Sequence, residues 1–78
     1  MHLTLRQLQC FSAVATNLSY TKAAKELHLT QPAVSMQIRQ LEHQAGLALT
    51  EQFGKQVHLT EAGQEVFRYA RSILQQVD

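Results

Sequence analysis

The chain has 78 residues, a hydrophobic share of 45% and a formal net charge of +1, which leaves room for one domain near the lower limit at which a single core suffices. No apolar run approaches the roughly 20 residues that cross a bilayer, and no signal peptide opens the sequence. The one cysteine, Cys10, excludes an internal disulfide and fits a reducing cytoplasm, where the chain is expected to reside.

The first predicted element is a helix opened by Thr4-Leu5-Arg6-Gln7, a capping box in which Thr4 and Gln7 satisfy each other's backbone donors. Leu3 and Leu8 have the spacing of a hydrophobic staple. Leu8, Phe11, Val14 and Ala15 form the buried face, with Cys10 beside it as a small hydrophobe. Asn17, which tolerates the left-handed conformation, is expected to stop the helix.

Ser19 caps a second, short helix that carries Ala23, Ala24 and Leu27 at helical spacing, the two alanines small enough for another helix to approach closely. His28-Leu29 breaks the run. Thr30 caps a third helix, Pro32 sits in its first turn where a missing N–H costs nothing, and Leu29 and Val34 have staple spacing. Val34, Ile38, Leu41 and Ala45 then repeat as one narrow apolar stripe. Gly46 closes the helix, with Leu47 expected to fold back on Leu41.

The opposite face of this third helix carries Pro32, Ser35, Met36, Arg39, Gln40 and His43, with Gln31 at the helix mouth. A solvated face usually carries Glu/Lys pairs; this one carries neutral hydrogen-bonding groups, one Arg and one Met. Such groups suit base edges: Gln forks onto adenine, Arg onto guanine, and an apolar side chain meets a thymine methyl. Two helices, a tight turn and a polar second helix make a helix-turn-helix whose second helix enters the major groove. The same periodicity also fits an ordinary amphipathic pair in a small bundle. Charge weighs against nucleic acid in the sum, because basic domains with pI above about 9 are the usual footprint. Its distribution weighs the other way: Arg6, Lys22, Lys25, Arg39 and Lys55 outnumber Glu26, Glu42 and Glu51 up to Thr60, and acids outnumber cations after it.

From Leu47 the period changes to two, with Leu47, Leu49, Phe53, Val57 and Leu59 alternating with Ala48, Thr50, Gln52, Gln56 and His58. Gly54-Lys55 fits the two-residue turn of a β-hairpin, Gly supplying the positive φ of type II′. A hairpin after the third helix is a wing. Lys55 at its tip reaches a phosphate or the minor groove, or is simply a solvated turn lysine.

Thr60 caps the last helix, and Glu61 lies at its positive end. Ala62, Val66, Ala70, Ile73 and Val77 form a stripe with Phe67 and Leu74 beside it, a wider arc than a helix lying on a small domain needs. At ~1.5 Å per residue this helix is about 27 Å long, and its outer part is expected to pair with the same helix of a second copy. A two-fold dimer would present two third helices about one DNA turn or more apart. The stripe is still running at Asp78, so a piece of a longer protein is expected.

Catalytic chemistry has no foothold in this sequence. His2, His28, His43 and His58 lack metal-ligand spacing, Ser35 lacks a His and Asp to activate it, and there is no glycine-rich phosphate loop or paired carboxylate site. An enzyme is therefore not expected.

Together the segments LRQLQCFSAVA, SYTKAAKELHLTQPAVSMQIRQLE and AG-L-x-L with GKQVHLTEAG resemble the N-terminal DNA-binding domain of LysR-type transcriptional regulators, over essentially the whole chain. Ala23-Ala24, Leu27, Gln31-Pro32, Ser35, Ile38 and Leu41-Glu42 carry the resemblance most specifically. It implies a mainly α fold with a small β-hairpin: a winged helix-turn-helix over 1–60 and a linker, or dimerisation, helix over 61–78. It implies double-stranded promoter DNA as the partner, with helix 31–45 in the major groove and wing 50–59 at the minor groove. The base-contacting positions fall on Gln31, Pro32, Ser35 and Met36, with Arg39 nearby. Thr21, Lys22, Thr30 and Gln37 fall at the DNA backbone, and Lys55 at the minor groove. Dimer contacts are assigned to Val66, Phe67, Ala70, Ile73, Leu74 and Val77.

Intact relatives of this kind add a C-terminal domain that binds a small co-inducer, commonly act as tetramers on pseudo-palindromic sites, and have RNA polymerase as a candidate partner. No cofactor is expected within these residues and no membrane association. Three departures stand out: Thr50 replaces a usual Phe, Gln52 a usual Arg and Met36 a frequent Arg. Within the family, EQFGKQVHLTEAG is similar to regulators of Calvin-cycle carbon-fixation operons. The rival reading is a helical dimerisation or protein-interaction module that does not touch DNA.

Overall fold

The structure, a computed structural model, describes residues 3–77, with the side chain of Val77 outside the described set along with Met1, His2 and Asp78. Its elements run α1 (Leu5–Asn17), α2 (Tyr20–Leu27), α3 (Gln31–Ala45), β1 (Thr50–Phe53), β2 (Gln56–Leu59) and α4 (Glu61–Val77). α1 is the central post: α2, α3 and α4 all pack against it. Cys10, Phe11 and Val14 of α1 meet Ala23 and Ala24 of α2, Val34, Ile38 and Leu41 of α3, and Leu49 and Val57 from the wing in one core.

Each helix starts where its cap is written. Thr4 and Gln7 form the reciprocal capping box, Thr4 Oγ1 accepting from Gln7 N at 3.0 Å and Gln7 Oε1 accepting from Thr4 N at 3.1 Å. Ser19 Oγ accepts from Lys22 N at 3.1 Å, Thr30 Oγ1 from Ala33 N at 3.2 Å and Thr60 Oγ1 from Gly63 N at 2.9 Å. These bonds satisfy donors that the first turn cannot pair internally.

The first helix ends one residue later than expected. Asn17 stays helical, its Nδ2 donating to Ala13 O at 2.8 Å, and the left-handed residue is Leu18, with φ 49°. With its side chain tied back to the preceding turn, Asn17 leaves the reversal to its neighbour. Leu18 N donates to Val14 O at 2.7 Å and closes the end. His28 does the same for α2 at φ 58°, and Gly46 for α3 at φ 72°.

Leu47 does not fold back on Leu41: it is 59% exposed, and Leu49 fills the core instead. Glu42 Oε2 accepts from Leu49 N at 2.8 Å and from Thr50 N at 3.2 Å, drawing the chain past Gly46 on a path that turns Leu49 inward.

The wing is the expected two-stranded antiparallel hairpin, paired Thr50↔Leu59, Glu51↔His58, Gln52↔Val57 and Phe53↔Gln56 around a turn at Gly54-Lys55, with Gly54 at φ 64°. That turn corrects the apolar repeat read across both strands. Directly paired residues share a face, so a two-residue turn sets Phe53 with Gln56 and opposite to Val57. Val57 is buried while Phe53 is 64% exposed.

α4 reaches the domain through a close approach. A Cβ on Gly63 would lie 2.0 Å from Leu49 O, so only glycine lets the first turn of α4 sit against the β1 approach. Ala62, Val66 and Phe67 pack on the core, and Ala70 is fully buried. Among the described residues no helix is long and apolar enough to cross a membrane.

Candidate nucleic-acid interface

Because Val34, Ile38 and Leu41 are locked into the core, the rotation of α3 is fixed and its polar face is presented outward. Gln31, Pro32, Met36, Arg39 and Gln40 are exposed, and Ser35 and Gln37 are half-buried. Gln31 Nε2 donates to Ser35 Oγ at 2.7 Å, so two of the candidate base-reading groups already hold one another.

A cleft of about 310 Å³ runs beside this face, lined by Tyr20, Gln31, Ser35, Arg39, Thr50 and Gln52. It joins the start of α2, the mouth of α3 and β1 of the wing. On the other flank a groove of about 660 Å³ separates α3 from the start of α1, with Met36, Arg39, Gln40 and His43 on one wall and Thr4 and Gln7 on the other. Arg39 borders both.

The local charges favour an anion. α2 and α3 carry no acidic residue in their first turns, so the positive ends of both helices are uncompensated. Thr21 and Lys22 are exposed in the first turn of α2, and Thr30 is exposed at the cap of α3 while its hydroxyl holds Ala33 N. Glu42 is the one acid in α3, and its carboxylate is occupied by backbone N–H groups of the wing. Lys55 is exposed at the hairpin tip.

Three residues that sequence reasoning left without a role build this surface. Glu42 ties the wing to α3, Tyr20 ties it to α2 by sharing a hydrogen bond with Thr50 Oγ1 at 3.1 Å, and Thr50 is the anchor of both. Gln52, noted in the sequence for a missing cation, lines the cleft itself. No spacing rule could have found the tether, because Tyr20 and Thr50 lie 30 positions apart.

The residues expected to pair two copies are divided. Ala70 is buried in its own domain, and Val66, Phe67 and Leu74 are half-buried there. Ile73 is 42% exposed, and Tyr69, not singled out in the sequence, is more exposed still. Ala70 therefore has no surface left to offer, whereas Ile73 and Tyr69 do; Val77's side chain lies outside the described residues.

Cys10 is buried and free, and burial pushes its thiol up from the ordinary value, opposed in part by Arg6. That is an inert thiol in a core. Among the described residues no three His, Cys, Asp or Glu side chains gather to hold a metal.

A helix, a tight turn, a second helix with an outward polar face and a hairpin docked at its side make this a winged helix-turn-helix. Residues 5–64 match the family described as bacterial regulatory helix-turn-helix protein, lysR family, and the chain belongs to it. It is 67% identical over 73 residues to a RuBisCO operon transcriptional regulator of Allochromatium vinosum, covering 94% of this chain and 24% of that protein. It is 55% identical over 75 residues to the HTH-type transcriptional regulator CfxR of Cupriavidus necator, covering 96% and 24%. The crystal structure of the BenM_DBD/catB site 1 DNA complex superposes with a TM-score of 0.93 at 39% identity, covering 97% of this chain and 85% of that one. The chain thus spans about a quarter of the length of the curated relatives it matches.

Proposed function

We propose that this chain binds double-stranded promoter DNA sequence-specifically, with α3 in the major groove and the wing at the adjacent minor groove. The observation that carries this reading is the convergence of Gln31, Ser35, Arg39 and Gln52 on one cleft, outside the core and flanked by uncompensated helix starts. Gln31, Pro32, Ser35, Met36 and Arg39 read base edges, while Thr21, Lys22, Thr30 and Gln37 set the register on phosphates. Lys55 meets the minor groove. The names of the relatives support transcriptional control of a carbon-fixation operon as the purpose.

The same reading has two copies acting together on a pseudo-palindromic site, joined through the outer face of α4, because one copy at a net charge of +1 has little electrostatic affinity of its own. In the whole regulator, a tetramer answers a small-molecule co-inducer held outside these residues and works with RNA polymerase in the cytoplasm. The domain itself needs no cofactor and performs no catalysis.

The decisive experiment is a salt series on a duplex recovered by selection from a random pool, measured for the parent chain and for Ser35→Ala. Affinity should fall linearly on a log–log plot against salt. Ser35→Ala should cost roughly 1–3 kcal/mol on the selected duplex and little on random DNA. Equal losses on both would reduce Ser35 to a positioning role, and absence of binding at any salt would favour the protein-interaction module.

A further inference from the structure

Phe53 is the one large hydrophobic ring of the wing, and the fold leaves it outside. It is 64% exposed on the hairpin face that also carries Gln56 and His58, and its ring centroid lies 5.6 Å from that of His58 at an interplanar angle of 55°. His58 is its diagonal neighbour across the strands, so the contact holds the ring against the ribbon and limits its freedom. No second sheet covers this face among the described residues.

The position of the face says what it can meet. Gln52, one residue earlier, points to the other side of the hairpin and lines the cleft beside Gln31, Ser35 and Arg39. With α3 in a major groove and the wing at the next minor groove, one DNA strand passes between them and faces Gln52. The reverse side of the hairpin, next to Lys55 at the tip, then looks into the minor groove. A flat apolar ring there meets deoxyribose, the apolar part of the groove's rim, while Lys55 meets the phosphates that border the same minor groove. Glu51 lies on the same face but farther from the tip, opposite His58, and its charge marks where the contact must end.

We propose that Phe53 is a DNA-contacting residue of the wing, its ring packing on deoxyribose at the edge of the minor groove beside Lys55. This rests on the DNA-binding reading above and adds to it an apolar contact that needs no counterion release.

The test compares the parent chain with Phe53→Thr, which keeps a strand-favouring residue, Phe53→Leu, which keeps an apolar one, and Lys55→Ala. The probe is a duplex recovered by selection from a random pool. Phe53→Thr should bind roughly five- to tenfold more weakly, from the apolar area lost. The slope of log affinity against log salt should not change, whereas Lys55→Ala should lower that slope by about one. Hydroxyl-radical cleavage, which attacks deoxyribose from the minor groove, should show protection lost at the wing's position with Phe53→Thr and largely kept with Phe53→Leu. An unchanged affinity and footprint for Phe53→Thr overturns this proposal while leaving the DNA-binding reading intact. A parent chain that binds no selected duplex overturns the reading and this proposal together.

Discussion

α3 and α4 are the two longest helices, 15 and 17 residues, and they divide their surfaces in opposite ways. α3 commits one narrow stripe wholly to the core, with Val34, Ile38 and Leu41 buried and the opposite face mostly polar, Met36 being its one large exposed hydrophobic. α4 is held by small residues, Gly63 and Ala70, while Val66, Phe67 and Leu74 straddle the border and Tyr69 and Ile73 lie outside it. The single chain therefore finishes the orientation of α3 by itself. Its polar face is pre-set for a ligand. α4 leaves apolar surface uncovered at Tyr69 and Ile73, one helical turn apart, and that is the surface the proposed pairing of two copies would use.

The largest break in this contrast should come from Ile38→Ala. Removing a fully buried side chain from α3 costs about 2–5 kcal/mol, a large part of what a domain this small can have. A thermal melt should show the midpoint falling steeply and DNA binding lost with the fold. If the midpoint barely moves, α3 is not held as described.

Gly63→Ala should come next. The added methyl collides with backbone rather than with a flexible side chain, and such overpacking costs roughly 1–3 kcal/mol. Because the clash lies where α4 meets Leu49, just before β1, amide exchange should quicken first at the wing and the start of α4.

Glu42→Gln weakens the tether of the wing without opening a cavity. Replacing a charged acceptor of two N–H groups by a neutral one should cost about 1 kcal/mol. Exchange at Leu49 and Thr50 should rise while the amides of α1 stay protected; a uniform change across the chain would mean that Glu42 does not act on the wing.

The smallest effect on the folded single chain is expected at Ile73→Asp, within about 0.5 kcal/mol for a surface change. Sedimentation is where it should appear, as loss of a dimer. An unchanged mass would move the pairing surface of α4 elsewhere and remove the asymmetry between the two helices.

Much of this was legible in residue order. The capping box at Thr4 and Gln7, the caps at Ser19, Thr30 and Thr60, the α3 stripe and the Gly54-Lys55 turn are where they were expected. The cluster of polar residues on α3 was equally plain. What escaped were statements that joined distant parts. Phe53 and Val57 shared a repeat yet lie on opposite faces, because the turn between them decides parity. Leu47 was expected to fold back on Leu41, yet it stays outside and Leu49, its N–H held by Glu42, enters the core. Ala70 looked like part of a pairing stripe and is consumed by its own domain.

Residue order alone determined where the helices begin, where α3 ends at Gly46, which side of α3 is apolar and where the hairpin turns, since each depends on groups within about four positions of one another. Tertiary packing decided which leucine enters the core, which way Phe53 points, how the wing is moored through Tyr20 and Glu42, and which part of α4 remains free. Those outcomes depend on the register between elements far apart in the chain, and no local pattern encodes that register.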